Sequence, residues 1–565
     1  MLVLRVMRLA MNRALFPWIY KADISYDANS SMPELIEQTA MHIRVAYLVL
    51  STTTFLSLCN PGVSNPLEDP IRVQKGLLSG TTTADEAVRV YKGVPFAAPP
   101  VGDLRWQAPQ PLETWDGVRQ AIDFSDGCVQ NIAGSRPPWT EEFMHQGSVS
   151  EDCLYLNIWT GVQAGNEQRP VLVYIHGGGF SEGSGSVAVY DGEGLARKGL
   201  VVVTINYRLG VFGFLAHPEL TAASEHQTSG NYGLLDQVAA LQWIQQNIAA
   251  FGGDPNNVTV AGQSAGAISV YMLTASPLAA GLFDQAIVQS GPGGLASFGL
   301  VSTRGMATPL AEAEASGAQF AENKDASSIQ ELRALSVDDL TASPAPRFGP
   351  VMDGYFLPDD VAAIYASGAQ NDVPLLTGFN ADEASAFPGY GTSTVEGLRT
   401  TAQERHGEAA AEFLSIYPAE TEAEAGEVLK TSLRDLGAVA LERLAAERAR
   451  TAETEAFLYY VERGIPWPQR PEFGAFHTAE VPYFFNNLKY LDRPWEAVDH
   501  TLADAMSSYW VNFATTGNPN GGGLPNWPTY DAASQSMMVF GEPIEVREMP
   551  ADEARRAFYE AYLER

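Results

Sequence analysis

Basic residues are scarce in this chain. There are 35 Lys and Arg against 67 Asp and Glu, a formal net charge of −32 over 565 residues. Nucleic-acid phosphates and anionic lipid both reward cationic proteins, so this imbalance excludes sequence-general DNA or RNA binding and electrostatic docking to a membrane. Cysteine is scarcer still. Cys59, Cys128 and Cys153 are too few for a disulfide scaffold, and no Cys-x-x-Cys pair offers a zinc site. No apolar run reaches the roughly 18 residues of a transmembrane helix, so no stable membrane span is expected. Long low-complexity tracts and a repeating period are missing too, which excludes a solenoid array and a largely disordered chain. What is present is an ordinary globular composition, 45% apolar and 10% aromatic, with length for a large buried core.

Arg44, the apolar stretch Val45 to Leu58 and the exit Pro61-Gly62-Val63-Ser64 have the charged flank, short apolar core and small-residue end of a secretory signal peptide. Met41 is a natural start, so 1–40 is expected to be an upstream extension that is not part of the translated product, 41–64 a signal peptide, and 65–565 one catalytic unit. The protein is then secreted or periplasmic. Leu56-Ser57-Leu58-Cys59 fits a lipoprotein box poorly, because leucine directly precedes the cysteine. Cys128 and Cys153 flank a turn-rich loop, Gly134-Ser135-Arg136-Pro137-Pro138-Trp139. In an oxidising compartment they can close it; otherwise they are two buried thiols.

From Ile71 onward, apolar strands alternate with helical stretches. Val171–Ile175, Leu200–Ile205, Val258–Ala261, Leu282–Gln289 and Val373–Gly378 read as strands, and Leu234–Ala249 and Ala265–Thr274 as helices. That alternation predicts an α/β fold with a mostly parallel central sheet covered by helices on both faces. Residues 71–96 read as antiparallel hairpins at an edge. Residues 400–455, rich in Ala and Glu with Leu429, Leu433, Leu436 and Leu441 at helical spacing, read as inserted amphipathic helices with a solvated face.

Gly262-Gln263-Ser264-Ala265-Gly266 matches Gly-x-Ser-x-Gly, and so does Gly179-Phe180-Ser181-Glu182-Gly183. Context separates them. A nucleophile on a sharp turn needs a strand before it and a helix after it, which Ser264 has; loop follows Ser181. His176-Gly177-Gly178-Gly179 follows the strand 171–175, where donors for a tetrahedral oxyanion belong. Glycines let the backbone approach closely, which makes Gly178, Gly179 and Ala265 the natural oxyanion hole. No Gly-Lys-Ser/Thr follows this loop, so it is not a nucleotide site.

A serine nucleophile needs a base, and the base needs an acid behind it. With the chain order serine, acid, histidine, the base is His406, His477 or His500. His406 lies on a charged helical face and His500 heads an amphipathic helix. His477 lies in the apolar loop Gly474-Ala475-Phe476-His477-Thr478 and leads. Asp382 and Glu383, just past the strand 373–378, can both hold an imidazole.

The segments Glu151-Asp152-Cys153-Leu154-Tyr155-Leu156-Asn157-Ile158, His176-Gly177-Gly178-Gly179, Phe251-Gly252-Gly253-Asp254-Pro255, Gly262-Gln263-Ser264-Ala265-Gly266-Ala267 and Gly474-Ala475-Phe476-His477 resemble those of the type B carboxylesterases, relatives of the cholinesterases. The resemblance runs in order from about residue 71 to the end. It implies an α/β-hydrolase fold, the triad Ser264, Glu383 and His477, the oxyanion hole named above, a Cys128–Cys153 disulfide and an Arg105–Glu151 ion pair. It also implies that the disulfide loop borders the active site, with Trp139, Phe143 and Met144 as substrate-pocket candidates. Relatives commonly carry Glu before the serine; here it is Gln263.

The chain is therefore expected to hydrolyse small-molecule carboxylic esters through an acyl-enzyme, with no metal or organic cofactor. Two rival readings are a non-catalytic adhesion module on the same fold and an amide or thioester hydrolase with the same triad. Oligomeric state has no signature in the sequence.

Overall fold

The computed structural model of the protein describes residues 69–564, apart from 133, 164–166, 299–306 and 343–345. The expected extension, signal segment and Cys59 lie outside the described residues. Contacts divide the chain into Met1–Ser64 and Asn65–Arg565, and the second unit carries the fold.

Eleven of the described strands form one sheet. They are β1 (Thr81–Thr82), β2 (Arg89–Pro95), β3 (Tyr155–Thr160), β4 (Arg169–Ile175), β5 (Val201–Ile205), β6 (Gly253–Gln263), β7 (Gln285–Gln289), β8 (Leu375–Asn380), β9 (Ala456–Val461), β10 (Ser536–Phe540) and β11 (Glu545–Glu548), in the spatial order 1-2-3-5-4-6-7-8-9-10-11. The block from β5 to β10 is parallel. β1, β2 and β3 run antiparallel at one edge and β11 at the other. This is the α/β-hydrolase fold, a mixed sheet covered by helices.

Parallel strands need long crossovers, and here helices supply them and cover both faces. The pleat then sends alternate residues to opposite cores. Val171, Val173 and Ile175 pack in one cluster with Leu241 and Ile244 of α1 (Tyr232–Asn247) and Ile268 and Met272 of α2 (Ala265–Ala275). Leu172 and Tyr174, between them, pack on the other face with an aromatic cluster that includes Trp510 and Phe513.

Some boundaries differ from expectation. β6 is longer than the apolar run 258–261 and changes register between Gly253 and Val258. β7 starts at Gln285 rather than Leu282, because a 3-10 turn at Pro277–Ala279 and a left-handed Gly281 first reverse the chain. The hairpin Ile71–Val73/Gly76–Ser79 forms but joins a separate three-stranded sheet with Val118–Gln120; only the β1–β2 hairpin edges the main sheet.

The Ala/Glu-rich region folds into α3 (Val395–His406), α4 (Ala410–Ile416) and α5 (Glu422–Ala449), the last opened by a Thr421/Glu424 capping box. Leu433, Leu436 and Leu441 are buried as expected, Leu429 only partly. His406 departs from expectation. It is buried, stacked on Phe413 and edge-on to Phe558 and Tyr562, so the aromatic face of the C-terminal helix claims it. Cys128 and Cys153 are joined as a disulfide. Beside it Arg105 makes a two-pronged ion pair with Glu151, 2.6 Å on each prong.

Candidate active site

Ser264 sits between the last residue of β6 and the first of α2, with φ 58° and ψ −122°. A non-glycine residue adopts such a conformation only when its surroundings impose it. The imposition comes from packing α2 back onto β4 and β6. A Cβ on Gly266 would lie 1.9 Å from the Ile175 carbonyl oxygen, and one on Gly262 would lie 2.4 Å from the Gly266 backbone. Both flanking glycines are thus steric requirements of the turn.

His477 Nε2 lies 2.7 Å from Ser264 Oγ. Its Nδ1 is hydrogen-bonded to Glu383 Oε2. A carboxylate beside Nδ1 holds the proton there and leaves Nε2 free to accept from the serine. Glu383 begins a 3-10 turn just past β8 and is 1% exposed; its Oε1 accepts from Asn380 N at 2.8 Å. Asp382 points elsewhere. It pairs with Arg434 at 2.7 Å and accepts from Tyr390 Oη at 2.9 Å and Ala475 N at 3.0 Å. Neither His406, in its aromatic cluster, nor His500, on the exposed side of its helix, is among the partners of Ser264 or Glu383.

The glycine loop begins at His176, which is buried and stacked on Tyr207, whose hydroxyl donates to His176 O at 3.0 Å. Burial lowers the His176 pKa to about 4, so this ring is neutral at physiological pH. The loop runs against the serine: a Cβ on Gly177 would meet Ser264 Cβ at 3.0 Å. Gly178 and Gly179 have φ 107° and 60° and shape a turn in which Ser181 N and Glu182 N both donate to Gly178 O at 3.1 Å. Ala265 opens α2, where first-turn N–H groups have no partner within the helix. Ser181 is exposed, and its hydroxyl donates to Gly178 O at 3.1 Å.

Of the aromatic candidates, Trp139 is half-buried and donates from Nε1 to Thr478 Oγ1 at 3.0 Å, one residue past the histidine. Phe143 is buried edge-on to Phe476, 5.6 Å between centroids, behind the histidine rather than beside the serine. Met144 is half-buried against the same core. The sequence reading missed two further rings. Phe298 contacts the His477 imidazole at 4.6 Å, and Phe387, 53% exposed, contacts Phe298 at 5.3 Å. Phe387 follows the acid by four residues and was legible in principle; Phe298 carries no sequence signal.

Side-chain amides hold the histidine segment. Gln263 Nε2 donates to His477 O, which the carboxylate common at this position in relatives could not do when ionised. Asn380 Nδ2 donates to Phe476 O at 2.9 Å and also to Glu480. Glu480 is fully buried, bonded to Asn380 and, at 3.2 Å, to Ser290 Oγ. Burial first, and then the Glu383 charge, push its carboxyl up to about 8.

Residues 68–558 match the model of a family described as the carboxylesterase family. The chain is 38% identical over 510 residues to a fumonisin B1 esterase of Sphingopyxis macrogoltabida, covering 85% of this chain and 88% of that one. It is 34% identical over 510 residues to a para-nitrobenzyl esterase of Bacillus subtilis strain 168, covering 86% and 98%. A human cocaine esterase is 32% identical over 516 residues, covering 84% and 88%.

Proposed function

From the premise that this chain belongs to the carboxylesterase family and is a carboxylesterase, we propose that it cleaves small-molecule esters through an acyl-enzyme on Ser264. His477 Nε2 takes the Ser264 hydroxyl proton as Oγ attacks the ester carbonyl carbon. The carbonyl oxygen becomes an oxyanion held by the N–H groups of Gly178, Gly179 and Ala265. As the intermediate collapses, the C–O bond to the alcohol breaks and His477 returns the proton to the leaving oxygen. Water, deprotonated by the same imidazole, then attacks the acyl carbon and releases the acid and free Ser264. Glu383 holds the ring and stabilises the imidazolium.

The observation that carries this reading is the unbroken chain from Ser264 Oγ through His477 to Glu383, on a serine held at positive φ. Phe298 beside the imidazole, backed by Phe387, favours esters with an apolar group next to the scissile bond. The names of the relatives, two of which specify fumonisin B1 and cocaine, suggest tolerance of large substrates. The Cys128–Cys153 disulfide supports an oxidising, secreted or periplasmic location, with 41–64 as the signal peptide and 65–565 as the mature catalytic domain.

Hydrolysis of p-nitrophenyl esters of graded chain length tests the reading. Ser264→Ala is expected to lower kcat by on the order of 10⁴-fold or more. Ser181→Ala should leave it nearly unchanged. Substantial turnover by well-purified Ser264→Ala would move the nucleophile elsewhere.

A further inference from the structure

We infer that Gln130 is a positioning residue for the oxyanion loop: its amide grips both backbone groups of Gly183, and through them it sets the aim of the Gly178 and Gly179 N–H groups. The inference rests on the acyl-enzyme reading above and extends it to a residue outside the triad, the oxyanion donors and the pocket.

The geometry is a closed clamp. Gln130 Nε2 donates to Gly183 O at 2.8 Å, and Gly183 N donates back to Gln130 Oε1 at 2.7 Å. The same Nε2 also donates to Cys128 O at 3.0 Å, which fixes the side chain to the backbone two residues earlier. Cys128 in turn is bonded to Cys153, next to the start of β3. The clamp therefore connects the glycine loop to the central sheet through a short, covalently closed path.

Gly183 is where such a grip acts on the oxyanion donors. It has φ 114°, and a Cβ there would lie 2.3 Å from the His176 ring and 2.6 Å from Gly177 O. The far end of the loop thus lies directly on its beginning. Within the turn, a Cβ on Gly178 would lie 2.0 Å from Glu182 O, so residues 178 and 182 are packed backbone to backbone. A turn this tight cannot move at Gly183 without rotating the peptides at 178 and 179. The beginning of the loop is held independently, by Tyr207 on His176 O. Gln130 supplies the matching hold at the end. A second link from the disulfide loop, Arg136 to Glu182, is more than half exposed on the arginine side and contributes little.

Gln130→Met keeps the volume and removes both the donor and the acceptor; Gln130→Glu keeps the acceptor for Gly183 N. Each is assayed for kcat and KM on p-nitrophenyl butyrate, for Ki of an alkyl trifluoromethyl ketone that forms a tetrahedral oxyanion on the serine, and for Tm. Loss of aim costs transition-state binding and spares ground-state binding. The expected result for Gln130→Met is a kcat lower by roughly ten- to a hundredfold and a Ki raised by the same factor, with KM within about twofold. Gln130→Glu should shift in the same direction. Both variants within about twofold of wild type in kcat and Ki, or losses that follow Tm alone, would overturn the inference. Wild-type turnover that survives Ser264→Ala would instead sink the acyl-enzyme reading. The two failures are therefore distinct.

Discussion

Two adjacent carboxylates past β8 divide structure from chemistry by the direction of their side chains. Glu383 turns inward to His477, while Asp382 turns outward to Arg434 and to Ala475 N, two residues before the histidine. Glu383→Gln is expected to cut kcat by on the order of 10³- to 10⁴-fold without unfolding, because the amide can leave the imidazole in the wrong tautomer. Asp382→Asn removes the negative charge that pairs with Arg434 and should cost about 1–3 kcal/mol of stability, with a much smaller effect on kcat. Steady-state kinetics and thermal melts of the two variants check the division; equal kinetic damage from both would contradict it. The glycines at 262 and 266 were legible as a motif, but the reason for them was not: it is the approach of α2 to the Ile175 carbonyl, set by helix-on-strand packing.

At the scale of elements, the loop closed by Cys128–Cys153 reaches three parts of the site. Gln130 holds the glycine loop, Trp139 holds Thr478 beside the histidine, and Phe143 packs on Phe476. Trp139→Ala is expected to change KM and ester preference more than stability, because the ring is half-buried and its polar edge faces the histidine segment. A panel of p-nitrophenyl esters and a melting curve measure both. A large fall in Tm with unchanged selectivity would assign the ring to the core. The disulfide closes a loop with a sequence separation of 25, which in chain-entropy terms stabilises the fold by roughly 3.5 kcal/mol. Reduction is therefore expected to lower Tm measurably, as a melt with and without phosphine reductant will show.

For the molecule as a whole, the buried acid Glu480 makes stability depend on pH. Its carboxyl is raised from 4.5 to about 8 in the folded protein, so the folded state holds a proton that the unfolded chain has released. The stabilising contribution is complete below about 4.5 and is lost as pH rises to about 8, at a slope of about 1.4 kcal/mol per pH unit. Glu480→Gln removes this term, so the difference in unfolding free energy between variant and wild type should move in the variant's favour as pH rises from 6 to 8. Urea unfolding at both pH values measures it, and a pH-independent difference would show that Glu480 does not carry the proton. The net charge of −32 adds diffuse self-repulsion that salt screens.

The sequence by itself determined the fold class and singled out the serine we propose as nucleophile, because both are written in local patterns: apolar runs alternating with helical stretches, and Gly-x-Ser-x-Gly between a strand and a helix. It favoured His477 as the proposed base because, of the three candidates His406, His477 and His500, that histidine lies in an apolar loop. Direction was beyond it. Asp382 and Glu383 differ by one position along a turn, and only the packed chain shows which faces the imidazole. The same holds for His406, read as a charged-face residue until a C-terminal helix more than 140 positions away covered it. Phe298, Glu480 and the grip of Gln130 on Gly183 are likewise contacts between segments distant in the chain or turned by it. Their partners are chosen by how the sheet brings strand ends together, which no local pattern encodes.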